Sequence, residues 1–349
     1  MPDKRISLPG VWVLGKWWSR CVAMPLAALL LPLALGTAAA WAQEKKADKK
    51  KDEEKEEIPA PEDVQLITAD NVQLMLTYYP GTKGAESIPV VLLHMWKGKR
   101  SDYRDLALHL QAAGHAVIVP DLRGHGDSTI RKYGIKTETL KGANLTSSMM
   151  RGMVEGDMVA VREFLRQRNN AGKLNLNKLC VIGAEMGASV AFDYARLDAV
   201  GYMEGNPPGS PLYGGVQVGR FVKALVLLSP EMGFKGLTLK AALDNPVVRA
   251  EIPMLILVGK QPPSKALKEA ESIDKILRRF HREPADAPVE KKTLIFGPLD
   301  TPHQGTKMLD VTGLSVDKRI TKFIEIRLIK SDEAKVLVWK KLPRPHEKT

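Results

Sequence analysis

Val64 and Leu66, then Val72, Leu74 and Leu76, alternate with polar neighbours on either side of Ala69-Asp70-Asn71. A period of two broken by turn residues predicts a β-hairpin. Beyond it the pattern changes to short unbroken apolar runs: 89–93 (PVVLL), 116–119 (AVIV), 179–182 (LCVI), 224–228 (ALVLL), 252–258 (IPMLILV) and 293–296 (TLIF). An alternating strand has one wet face, whereas an unbroken run requires a strand covered on both. Between the runs, apolar residues return at helical spacing: Leu106, Leu110 and Ala113 within 102–113, and Val159, Ala160, Phe164 and Leu165 within 156–168. The same spacing recurs over 265–280 and 316–329, with Ser315 placed to cap the last helix. Strand and helix in alternation predict an α/β fold, a mostly parallel sheet with an N-terminal β-hairpin and helices on both faces. The Gly/Pro-rich stretch 201–215 reads as a surface insertion, and 230–251 is too short to build a large lid.

Ahead of this pattern stands a different one. Lys4, Arg5, Lys16 and Arg20 precede an apolar run over 22–35, followed by small residues ending in Ala40-Trp41-Ala42. That order predicts a signal peptide over 1–42, cleaved before Gln43, and an exported protein, periplasmic or secreted. The competing reading is a retained anchor, since 21–42 is uncharged and just long enough to span a bilayer; Pro25, Pro32 and the Ala-rich end favour cleavage, leaving no transmembrane anchor. Residues 43–61 predict a disordered tether, because 44–57 (EKKADKKKDEEKEE) holds no large apolar residue. One domain over 62–343 and a tail over 344–349 complete the organisation.

Charge changes meaning once it is placed. The chain carries 52 Lys plus Arg against 40 Asp plus Glu, a net +12. The signal removes a net +3 and the tether contributes −1, so the domain and tail keep +10 without any motif for nucleic acid. Two cysteines exclude a disulfide framework. Cleavage leaves only Cys180, inside a buried run.

Ligands of a parallel α/β sheet bind at the carboxyl ends of its strands, and three turns there carry the chemistry. They read Asp121-Leu122-Arg123-Gly124-His125-Gly126-Asp127-Ser128, Gly183-Ala184-Glu185-Met186-Gly187, and Thr301-Pro302-His303-Gln304-Gly305. In this order and context the chain resembles the α/β-hydrolase superfamily, with esterase, lipase and aminopeptidase-like members the nearest in pattern, over Val64 to about Ile329. The resemblance implies a Ser-His-acid triad, the serine on a tight Gly-x-Ser-x-Gly elbow. Here the elbow glycines stand and Glu185 holds the nucleophile position. His303 matches the superfamily's histidine by order and neighbours. No carboxylate follows the strand ending at Val258, where Gly259-Lys260-Gln261-Pro262-Pro263 stands. Glu231, after Ser229-Pro230, is the replacement nearest a strand end, against the alternative of a solvated loop carboxylate. His94-Met95-Trp96 replaces the implied His-Gly of the oxyanion loop, so Met95 crowds the backbone donor. The helix beginning near Met186 favours an ionised Glu185.

Two functions fit these residues. One is a catalytically impaired or ligand-binding pseudo-hydrolase, with Glu185 ion-paired to His303. The other is an active hydrolase of an ester or related bond with a rearranged centre, Glu185 acting as nucleophile or base with His303 and Glu231. Dehalogenases and epoxide hydrolases of the superfamily use an aspartate nucleophile, but Glu185 is one methylene longer, and misplacement of about 1 Å costs about a hundredfold in rate. No metal-ligand spacing or phosphate-cradling loop is present, so neither metal nor cofactor is expected. The expected partner is a small molecule; Lys97, Lys99, Arg100, Lys260 and Lys307 around the mouth favour an anionic one, against the reading of scattered solvated cations.

Overall fold

The computed structural model describes residues 58–204, 216–284 and 286–342. The signal-peptide reading, nearly all of the tether, the tail and most of the 201–215 insertion lie outside the described residues. No helix among the described residues is long and apolar enough to cross a membrane.

Among the described residues fourteen strands follow one another: β1 (Glu62–Ile67), β2 (Val72–Tyr79), β3 (Pro89–Leu93), β4 (Ala116–Pro120), β5 (Ile130–Tyr133), β6 (Lys136–Thr139), β7 (Leu179–Ala184), β8 (Tyr202–Glu204), β9 (Val216–Val218), β10 (Val222–Leu228), β11 (Gly233–Phe234), β12 (Leu237–Thr238), β13 (Met254–Gly259) and β14 (Leu294–Leu299). Ten of them form one sheet in the order β14-β13-β10-β7-β3-β4-β2-β5-β6, with β1 paired to β2. The unbroken apolar runs are its parallel part, β4 to β14. Along these strands successive side chains enter two separate cores: Val91, Val181 and Leu225 one, Val90, Cys180 and Val226 the other. Both faces of the sheet are therefore dry, as unbroken runs require. The hairpin pairs Val64 with Leu76 and Leu66 with Leu74, and Asn71 takes a left-handed turn conformation at φ 63°.

Three details depart from the sequence pattern. The β5–β6 hairpin was not expected, because its residues are mainly polar and its turn leaves Ile135 wholly exposed. The helix Met158–Asn170 buries Met158 and Val161 with Phe164 and Leu165, leaving Val159 and Ala160 half-buried. A π-type turn over Met153–Asp157 precedes it, and its wider winding rotates the buried face. Ser315 does not cap the helix Val316–Glu325; its backbone is left-handed at φ 50°, whereas a capping serine needs an extended one. Ser264 does cap, accepting from Leu267 N at 3.1 Å.

Between β10 and β13 stand only the β11–β12 ribbon and two five-residue helices, Lys240–Asp244 and Pro246–Ala250, so no large lid is built there among the described residues. The parallel strands β3, β7, β10 and β13 are followed directly by His94, Glu185, Ser229 and Lys260 at their carboxyl ends, where the site is built.

Candidate active site

Glu185 sits between β7 and the helix Met186–Val200 with φ 48° and ψ −112°. For a residue with a Cβ this region costs about 1–3 kcal/mol and persists only where packing over-determines it. The packing is visible on both sides. A Cβ on Gly183 would lie 2.2 Å from Gly187 O, and one on Gly187 would lie 2.2 Å from Leu93 O. Glu185 N donates to Leu228 O at 2.9 Å, and its carbonyl accepts from Ala188 N at 2.9 Å and Ser189 N at 3.2 Å. The strained elbow is thus complete in backbone, with a carboxylate at its apex.

That carboxylate is half-buried against the late loop. A Cβ on Gly305 would meet Glu185 Oε1 at 3.1 Å and Met95 Sδ at 3.0 Å, so Glu185, Met95 and Gly305 share one wall. Burial, then the charge of Glu231, push the Glu185 carboxyl above the usual carboxylate range, against the pull of Lys307. Desolvation and Glu231 act against the helix N-terminus, which favours the ionised form. Glu231 is likewise pushed up, by burial and then by Glu269, with Lys265 opposing.

His303 is exposed. Its ring takes part in no hydrogen bond among the described residues, and no ion pair joins it to Glu185. Its carbonyl, by contrast, is wedged against the end of β13, where a Cβ on Gly259 would lie 2.2 Å away. The inward residue of this loop is Gln304. Its Oε1 accepts from Ser229 Oγ at 2.6 Å and from Gly259 N at 3.2 Å, and its Nε2 donates to Gly259 O at 2.9 Å. Ser229, fully buried and left-handed at φ 51°, also accepts from Gly305 N at 3.0 Å. A neutral amide therefore fastens the end of β13, where the resemblance places the triad acid. Neither Ser229 nor Gln304 figured in the sequence reading as a site residue. The signal that could have found the pair was the missing carboxylate after Val258 together with an amide beside His303.

His94 is fully buried and locked: Nε2 accepts from Leu122 N at 2.9 Å, so the proton is on Nδ1, which donates to Met95 O at 2.8 Å. Burial pushes its pKa down to about 4. Trp96 turns into an aromatic group instead, with the His125 and Phe234 rings each 5.0 Å away and Lys235 Nζ 4.2 Å above its own ring. Met186 is buried in the core. Ser189, also buried, donates to Glu231 O at 3.4 Å.

The cations at the mouth are unequal. Lys97, Lys99, Lys260 and Lys307 are exposed, while Arg100 is held by Asp121 and, at 2.8 Å, by Asp127. Beside the elbow, Met95, Thr306 and Lys307 form one end of a groove of about 650 Å³. Its walls carry Asp102, Asp105, Asp310 and Asp317. Among the described residues no group of three or more His, Cys, Asp or Glu is placed to hold a metal ion.

Comparison with known proteins places this geometry. Residues 90–324, more than half of the chain, match the model of the alpha/beta hydrolase family. Two uncharacterized proteins of Mycobacterium tuberculosis, from strains CDC 1551 / Oshkosh and ATCC 25618 / H37Rv, are each 29% identical over 113 residues, which is 31% of this chain and 40% of theirs. The chain thus spans less than half the length of these relatives. Among solved structures, an esterase of Pyrococcus furiosus superposes with a TM-score of 0.53 at 16% identity, over 76% of this chain and 90% of that one. An alpha/beta hydrolase of Penicillium sp. sh18 superposes with a TM-score of 0.50 at 11% identity, over 77% and 99%. At such identities the likeness is one of fold.

Proposed function

The chain belongs to the alpha/beta hydrolase family, and on that footing we propose that it is an exported, non-hydrolytic member that uses the elbow carboxylate to bind a small molecule. The observation that carries the reading is Gln304: its amide engages both Gly259 N and Gly259 O and takes the hydroxyl of Ser229. Hydrolysis in this fold needs a histidine that is oriented and made basic by a carboxylate. An amide supplies no charge for that task, and His303 is exposed, with no ring hydrogen bond and no ion pair to Glu185 among the described residues. A carboxylate at the elbow also fills the place where negative charge must develop in acyl transfer. The ligand would reach Glu185 from the groove beside Met95 and Lys307, where Asp102, Asp105, Asp310 and Asp317 outnumber Arg104 and Lys307. This favours a ligand that presents hydrogen-bond donors or positive charge over an anionic one. Export rests on the N-terminal sequence, and Edman sequencing of the mature protein from Gln43 would test it.

One observation favours the competing reading of an active, rearranged hydrolase: the raised Glu185 carboxyl, a common preparation for acid or base catalysis. Hydrolysis of p-nitrophenyl acetate and of styrene oxide by the wild type, Glu185→Gln and Glu185→Ser separates the two. The non-hydrolytic reading expects no turnover above buffer in any of them. Wild-type turnover abolished by Glu185→Gln overturns it. Turnover gained only by Glu185→Ser leaves the wild type non-hydrolytic, marks a decayed serine centre and overturns only the argument that His303 is out of position.

A further inference from the structure

On the far edge of the sheet, away from the elbow, β14 and the helix Val316–Glu325 enclose a groove of about 370 Å³. Its walls are mostly apolar, with Leu255, Leu257, Ile295, Phe323 and Ile326, and Ser315 is the one uncharged polar side chain among them. Its only charged lining groups are Lys318, Arg319 and Lys322, which are exposed along one side of the helix. Lys322 shares its charge with Glu325 at 3.6 Å, and Arg319 Nε donates to Leu314 O at 3.2 Å; Lys318 forms no ion pair among the described residues. We propose that this groove binds a single-chain anionic amphiphile, a medium-chain fatty acid, with its alkyl tail against the apolar walls and its carboxylate at the cationic rim.

Charge and shape select this occupant. A second copy docked on this groove about a two-fold axis would bury Lys318, Arg319 and Lys322 of both copies in one shared patch, and the groove lining offers no carboxylate to pair with them. A peptide added as a further strand would need the unpaired backbone groups of β14, yet Pro298 lacks an N–H there. An alkyl chain needs no hydrogen bonds, and a carboxylate is what the rim lacks. A groove of about 370 Å³ lies within the range of small-molecule sites, room enough for a single alkyl chain. The site is separate from Glu185, so it stands or falls independently of the function proposed above.

Isothermal titration of the full chain with laurate tests it. We expect one saturable site, affinity rising about fourfold per added methylene from octanoate to laurate, and no binding of dodecyltrimethylammonium, which has the same tail and the opposite charge. Lys318→Glu/Lys322→Glu, on the exposed helix face, should abolish binding at an unchanged melting temperature, and Ile295→Trp should block it by filling the wall. Binding that survives both variants, equal binding of the cationic amphiphile, uptake only from anionic phospholipid vesicles and not of free laurate, or a concentration-dependent dimer that buries the groove would each overturn the proposal.

Discussion

Gln304→Ala tests the claim that an amide has replaced the triad acid as a structural fastener. The side chain makes three well-formed bonds, at 2.6, 2.9 and 3.2 Å, to Ser229 Oγ, Gly259 O and Gly259 N. A net intramolecular hydrogen bond contributes about 0.5–1.5 kcal/mol, and a buried polar group left alone costs about 1–3 kcal/mol. Ser229 Oγ is fully buried and loses its acceptor outright. Gly259 is buried too, but Gln304 itself is only partly covered, so water reaches the vacated space and softens the loss. The balance is a destabilisation of about 2–3 kcal/mol, read from urea denaturation at constant slope. Ser229→Ala in the same background removes the orphaned hydroxyl, so the double variant should lose less than the sum of the singles, by about 1 kcal/mol. A loss below about 0.5 kcal/mol for Gln304→Ala, or strict additivity, would refute the fastener and return Gln304 to an ordinary loop residue.

Two further outcomes follow from buried charge. Arg123 is covered and bound by Asp157 through Nε at 2.9 Å and Nη2 at 2.7 Å, with Asp157 wholly buried; Asp157→Ala strands the guanidinium beside Asp70 alone and should cost about 3–5 kcal/mol in urea denaturation. His94 should set an acid limit on stability. Its folded pKa of about 4 lies below the ordinary 6.5, so the unfolded chain takes up the proton first. The stability tied to its neutral ring is whole above pH 6.5 and is lost as pH falls from 6.5 towards 4, by roughly 3 kcal/mol in total. Denaturation of the wild type and His94→Gln between pH 4 and 7 should show this slope in the wild type and a shallower one in the variant.

What the sequence made legible, and what it hid, divides along the range of the interactions involved. The parallel strands were readable because burial on both faces writes itself locally, as unbroken runs such as 89–93 and 224–228. The polar β5–β6 hairpin wrote nothing, since Thr137 and Glu138 bury no face that would demand a pattern. The elbow was readable from Gly183 and Gly187 because close backbone approach to Leu93 admits no side chain. By contrast, the role of Gln304 depends on Ser229 and Gly259, and the proton affinity of Glu185 on its burial in the folded site and then on Glu231. Residues so distant in the chain are joined only by the folded sheet. The backbone of Glu185 makes a last point about cause. Its strained conformation, the family's device for presenting a serine, persists here with no serine to present. The contacts that hold it are Gly187 on Leu93 O and Glu185 N on Leu228 O, which are bonds of packing between β3, β7 and β10 and not of catalysis. The elbow is therefore a consequence of how the helix seats on the sheet, independent of any reaction. Gly187→Ala, which would force a Cβ to within 2.2 Å of Leu93 O, should for that reason unfold the chain or lower its stability by more than about 3 kcal/mol, whether or not any substrate is ever turned over.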